Sequence, residues 1–231
     1  MITVKHAGPE SLRLGVIHAN EIDPELIPEG FENELSMLLE RRSEDLPDQE
    51  DAWRQAVRDI LRHGKYKPTG RGKPASEYLL RAAGSQAFPR INSPVDICNY
   101  ISLLSLLPVS IWDTDRTETD AYVVRLGREN ESYVFNSIGQ TIDLTDLLVG
   151  CTLLDTAGGS EPIVNPVKDS MKTKTSADTR RVAALVYGRL DEGPIRSLQS
   201  ICDRFSELLA GCGPTARASN TILHPGDTLR I

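Results

Sequence analysis

Two polar side chains stand out on an apolar run. Residues 91–108, INSPVDICNYISLLSLLP, read as a helix made to be buried, yet they carry Asp96 and Asn99. A buried carboxylate or amide left without a hydrogen bond costs roughly 1–3 kcal/mol on mutational scales, so each needs a partner or a purpose. Ser93 is a good N-cap, Pro94 suits the first helical position, and Asp96 falls three residues after the cap. There it would complete a capping box at the positive end of the helix dipole. Asn99 lies beyond the capping turn and gains no such role. Its amide both donates and accepts, which suits it to orienting a water or a substrate group.

A second feature is electrostatic. The net charge is −7, but it is unevenly spread: residues 21–51 hold twelve acids against two bases, whereas 62–73, RHGKYKPTGRGK, hold five bases and no acid. A compact basic segment beside an acidic surface can steer a polyanion to one face, although a solvated Gly/Pro loop would have the same composition. Cys98, Cys151, Cys202 and Cys212 lie 53, 51 and 10 residues apart, and His6, His18, His63 and His224 are as scattered. No pair has metal-ligand or redox spacing, so reduced, mostly buried thiols and no metal are expected.

These groups need a scaffold. A chain of 231 residues with 39% hydrophobic and 26% charged content has the composition of a globular protein. The opening residues contain no apolar stretch of signal-peptide length and no run approaches a membrane span, so a cytoplasmic protein is expected. LRLGVIHAN (12–20) reads as a buried strand. Leu35, Leu38 and Leu39 mark a short helix, Asp48 with Asp51 a capped second one, and ASEYLLRAA a third after Pro74. The helix from Ser93 is stopped by Pro108. Strands follow at VSIWD (109–113), AYVVRL (121–126) and SYVFN (132–136), with GRENE turning between the last two. LLDTAGG (153–159) reads as a strand end entering a loop, and VAALVYG (182–188) as another buried strand. Ile195, Leu198, Ile201, Phe205, Leu208 and Leu209 define a final amphipathic helix. Strands and helices mix without strict alternation, which predicts an α+β class. A single domain over 1–231 is expected, with an N-terminal part (1–74), a core (75–190) and a C-terminal helix and strand (191–231).

PRINSPVDICNY, then LLPVSIWDTD, and later KDSMKTKTSADTRRVAALVYG resemble the B-three/B-four domain of the β subunit of bacterial phenylalanyl-tRNA synthetase, and especially its freestanding relatives. The resemblance covers about residues 75–190. It implies a mixed β-sheet flanked by helices, and an editing site that hydrolyses tRNA carrying the wrong amino acid. The family's pocket asparagine matches Asn99. The threonine before it is Cys98 here, the pocket histidine position holds Ser110, and the pocket glutamate falls near Leu185.

On this resemblance Asn99, Ser110 and Lys174 are the expected catalytic residues. Arg90, Asn165, Ser170, Thr173 and Thr175 are expected to bind substrate, although Arg90 is as well placed to pair with Asp96. Arg62, Lys65, Lys67, Arg71 and Lys73 are expected to contact the tRNA backbone. The implied activity is deacylation of mischarged tRNA in trans, with no cofactor, no membrane and a transient contact with a synthetase. The competing reading is a tRNA-binding or amino-acid-binding module whose pocket has lost its chemistry. An aminoacyl ester has a good leaving group and a neighbouring ribose hydroxyl, so holding a water and stabilising the oxyanion can suffice for hydrolysis. A second site is needed because a synthetase pocket gains only about 1–3 kcal/mol per methylene.

Overall fold

The computed structural model describes residues 1–154 and 159–231, so most of the loop expected within 153–159 lies outside the described residues. The described elements are, in order, β1 (Thr3–His6), β2 (Leu12–Asn20), α1 (Phe31–Arg42), α2 (Asp48–Asp59), α3 (Ala75–Gly84), α4 (Ser93–Ser105), β3 (Val109–Asp113), β4 (Ala121–Leu126), β5 (Ser132–Val134), β6 (Thr141–Asp143), β7 (Leu148–Leu153), β8 (Ser160–Val164), β9 (Arg181–Arg189), α5 (Leu198–Ala210), β10 (Arg217–Leu223) and β11 (Thr228–Arg230). The class is α+β, as the mixed pattern implied.

One sheet has the order β10-β2-β9-β3 and is antiparallel throughout. The other, β11-β1-β4-β7-β8, is mixed, because β1 and β4 run parallel. Strands β5 and β6 form a separate hairpin. The buried runs LRLGVIHAN and VAALVYG pair with each other along their whole length at the centre of the first sheet. Their apolar character on both faces follows from being covered on both. Helix α5 lies on one face, so close that a Cβ on Gly15 would meet the Cys202 sulfur at 2.2 Å. The mixed sheet lies on the other face, where Gly150 leaves room for Leu185. Trp112 of β3 meets Tyr122 of β4 edge-on at 5.1 Å between ring centroids.

This layering fixes the direction of every side chain on β3. Successive residues of a strand point to opposite faces. Ser110 pairs with Leu185 and Trp112 with Ala183, so both face the mixed sheet; Val109 and Ile111 face the helices. β3 is also an edge strand of its sheet.

Helix ends differ from the sequence expectation. The N-cap of α4 is Asn92, whose Oδ1 accepts from the Val95 amide at 3.2 Å, and Ser93 instead donates its hydroxyl to the Pro24 carbonyl. Asp96 still ties the entering chain, by accepting from the Ile91 amide at 2.8 Å. The box expected of Asp48 and Asp51 is absent: α2 follows Pro47, and Asp51 bonds Arg54 and Gln55. Helix α4 ends before Pro108, at Leu106, which is left-handed with φ 61°. The Ser102 and Ser105 hydroxyls satisfy the turn through the Leu107 carbonyl and amide.

All four cysteines are buried and unpaired. No helix among the described residues is long and apolar enough to cross a membrane.

Candidate active site

A cavity of about 320 Å³ opens between α4, the edge strand β3 and the loops 165–169 and 174–175. That volume lies within the usual range for a small-molecule site. Val95, Cys98 and Asn99 enter from α4, and Val109 and Ile111 from β3. Asn165, Asp169, Lys174 and Thr175 enter from the loops. Asn99 is half-buried, and its amide makes no hydrogen bond to another described residue. The residue that the capping chemistry of α4 could not explain therefore faces the cavity.

Lys174 also lines the cavity. Its Nζ donates to the Phe135 carbonyl at 3.1 Å, and its charge reaches Asp169. Asn165 holds its own loop. Its Oδ1 accepts from the Val167 and Lys168 amides, each at 2.8 Å, and its Nδ2 donates to the Tyr133 hydroxyl at 2.5 Å. Thr175 accepts from the Nδ2 of Asn92 at 3.0 Å, so the α4 cap also anchors the 174–175 loop.

Four expected site residues lie elsewhere. Ser110 is fully buried on the opposite face of β3, where it donates to the Asn165 carbonyl at 3.0 Å and accepts from the Tyr187 hydroxyl at 3.2 Å. Strand parity withdraws it from the cavity and sets it behind the 165–169 loop. Arg90 is held by carboxylates on both sides, Glu32 and Asp96. Ser170 caps a short 3₁₀ turn by accepting from the Lys172 amide, and Thr173 is buried as the last residue of that turn. None of these four borders the cavity.

The basic segment divides as well. Arg62, Lys65 and Lys73 pair with Asp59, Glu129 and Glu77. Lys67 and Arg71 are exposed and form no ion pair among the described residues.

Sequence reasoning missed Asp169. Its carboxylate accepts from the Asn165 amide at 3.3 Å and the Ile111 amide at 3.4 Å, both long for such bonds. Ile111 offers its amide because β3 is an edge strand. Burial pushes the Asp169 carboxyl up from 3.8 to about 7, against the pull of Ser110, the two amides and the Lys174 charge. A carboxyl with that value in a cavity is a candidate general base or acid at neutral pH. Leu185, near which the family's glutamate would fall, is buried against Gly150, so among the described residues Asp169 is the carboxylate that lines this cavity. Lying between Lys168 and Lys172, it reads in sequence as one charge in a solvated loop; only the fold shows it enclosed. Burial and then the neighbouring Asp169 raise the Cys98 thiol well above the ordinary range, which disfavours its thiolate. Among the described residues no group of three or more His, Cys, Asp or Glu side chains could hold a metal ion.

The family model of the B3/4 domain matches residues 67–190, over half of the chain and all of the cavity wall. The chain belongs to the B3/4 domain family. Among solved structures, this B3/4 protein is similar to an N-terminal fragment of the phenylalanyl-tRNA synthetase β-subunit from Pyrococcus horikoshii, at 14% identity and a TM-score of 0.41. That alignment covers 56% of this chain and 43% of the other. No curated protein matches the chain.

Proposed function

We propose that this B3/4 protein is an aminoacyl-tRNA deacylase that cleaves the ester of mischarged tRNA in trans. One observation carries the reading: a single cavity is lined by an unpaired asparagine amide and by a carboxyl poised near neutrality. In this reading Asp169, ionised, takes a proton from a water as its oxygen adds to the ester carbonyl. Asn99 donates to the carbonyl oxygen as it becomes an oxyanion, and the Lys174 charge favours the same state. Collapse breaks the bond to the ribose oxygen, which receives the proton from Asp169. The products are a free amino acid and uncharged tRNA. One preorganised oxyanion donor is worth about 3–4 kcal/mol, so the set is adequate without a histidine.

The withdrawal of Ser110 from the cavity favours a second reading, in which the protein binds charged tRNA without hydrolysing it. Release of labelled amino acid from a panel of correctly and wrongly charged tRNAs separates the two. Deacylation of at least one mischarged tRNA, with a rate rising through pH of about 7, is expected. Binding without turnover across the panel would establish the second reading.

A further inference from the structure

Phe135 stands just past the end of β5, half-buried yet outside the hydrophobic core. Both of its neighbours are cavity residues. The Lys168 ammonium lies 4.0 Å from its ring centroid, and Lys174 donates to its carbonyl. A third cation is close: after burial, the charge of Arg71 is what lowers the Lys168 ammonium from its ordinary value. None of the three cations forms an ion pair with a described residue. Tyr133, two residues earlier in the same hairpin, is tied to the loop by donating its hydroxyl to the Lys168 carbonyl at 2.8 Å. The ring is therefore held at the cavity, with positive charge around it and no core to serve.

An aromatic ring among unpaired cations is what single-stranded nucleic acid requires. Bases stack on aromatic side chains while Lys and Arg follow the phosphates. We propose that Phe135 is the stacking platform for the terminal nucleobase of the RNA whose ester enters the cavity, with Lys168 and Arg71 taking the adjoining phosphates. The identity of that RNA rests on the deacylase reading; the platform is defined by its own geometry. A base reaching the ring takes the place of the Lys168 ammonium, which is then free to move to a phosphate.

The test uses the full chain and a short single-stranded RNA ending in CC followed by 2-aminopurine, whose fluorescence is quenched by stacking. Wild type is expected to quench the terminal probe and to bind an RNA with an abasic 3′ end about 10-fold more weakly, the loss expected for one base–aromatic stack. Phe135→Leu, which keeps apolar bulk without a π face, should abolish the quench and bring affinity down to the abasic level. Phe135→Trp should retain both. Phe135→Ala should match Phe135→Leu, with thermal melts confirming that each variant is folded. An unquenched probe with wild type, or quenching that survives in Phe135→Leu, would overturn the proposal. Quenching by a wild-type protein that hydrolyses no aminoacyl-tRNA would leave the platform standing and remove the deacylase reading.

Discussion

Replacing Asp169 by asparagine should make the protein more stable at high pH while removing its activity. The folded state holds this carboxyl at about 7 against 3.8 for an ordinary aspartate, so between those values it binds more protons than the unfolded chain. Its contribution to stability is fully present below 3.8, falls as pH rises through about 7, and is a constant penalty above that. The interval corresponds to a penalty of up to about 4 kcal/mol. For a chain of this length that is roughly 8–16 °C in Tm. Asparagine preserves the shape and removes the charge. It accepts well from only one of the Asn165 and Ile111 amides, a pH-independent cost of about 0.5–1.5 kcal/mol.

The readout is therefore a double difference. Urea or thermal unfolding of wild type and Asp169→Asn would be followed at pH of about 4.5, 6 and 8. The variant's stability relative to wild type should grow with pH and level off near 8. Contributions from the other titrating groups cancel in the comparison, apart from those coupled to Asp169 itself. Lys174 contributes its charge, while the neighbouring Tyr133, Tyr187 and Cys98 are all pushed well above their ordinary values and stay neutral over this range. Deacylation should fall about 10²–10⁴-fold, the usual worth of a positioned general base. A stability difference that stays flat from about pH 4.5 to 8 would refute the reasoning, because the carboxylate would then be solvated in the fold. A carboxylate that costs stability at neutral pH and does nothing else is hard to explain, whereas one retained for chemistry is the expected trade-off.

Asn99→Ala should leave RNA affinity and Tm nearly unchanged, because no described residue is bonded to its amide. It should lower the single-turnover deacylation rate by about 10²-fold or more. Arg71→Ala should flatten the log–log salt dependence of RNA binding by about 0.7 for each phosphate it no longer neutralises, whereas Arg62→Ala, already paired with Asp59, should leave the slope unchanged; filter binding across a salt series would show both. Arg42→Ala should cost about 1–3 kcal/mol in chemical unfolding, because it removes the buried one of the two guanidinium groups on Glu50, leaving Arg41, and frees the Leu103 and Leu104 carbonyls near the end of α4.

The sequence exposed the parts of the site that local rules govern. Asn99 was visible because an amide beyond the capping turn has no local use. β3 was legible as VSIWD because a short apolar run ending at Asp113 reads as a buried strand. The choice of face on that strand was not legible. Ser110 and Ile111 are both buried, and which one meets α4 depends on pairing with β9 and on what each face packs against. Aligning Ser110 with a pocket histidine assumed a direction that the observed register reverses. Short strands such as β1 and β8 escaped, and only the end of β7 at Leu153 was legible, for a related reason: a handful of residues carries little periodicity, and they are strands because a neighbour satisfies their amides.

Asp169 depends on even longer-range facts. Its loop is built by Asn165, which binds two amides three residues or fewer away, and that part is a local motif. What makes the carboxyl chemically unusual is the company it keeps: the Ile111 amide from an edge strand, a loop braced from behind by the Ser110 hydroxyl, and the enclosure completed by α4. Each comes from an element 50 or more residues away in the chain, and none leaves a mark on KDSMKTKT as a string. Ser110 thus has a place in the fold, though not in the lining of the cavity. It holds the Asn165 carbonyl and with it the loop that presents Asp169. Removing its hydroxyl should act on catalysis through the value and position of that carboxyl. In Ser110→Ala the pH–rate profile of deacylation should move to higher pH, because a loosened Asn165 loop weakens the Asn165 amide bond that helps to lower the Asp169 value. Ser110→Thr, which restores the hydroxyl, should return the midpoint toward wild type. A profile that loses height in Ser110→Ala without moving along the pH axis would show that Ser110 supports the loop and nothing more.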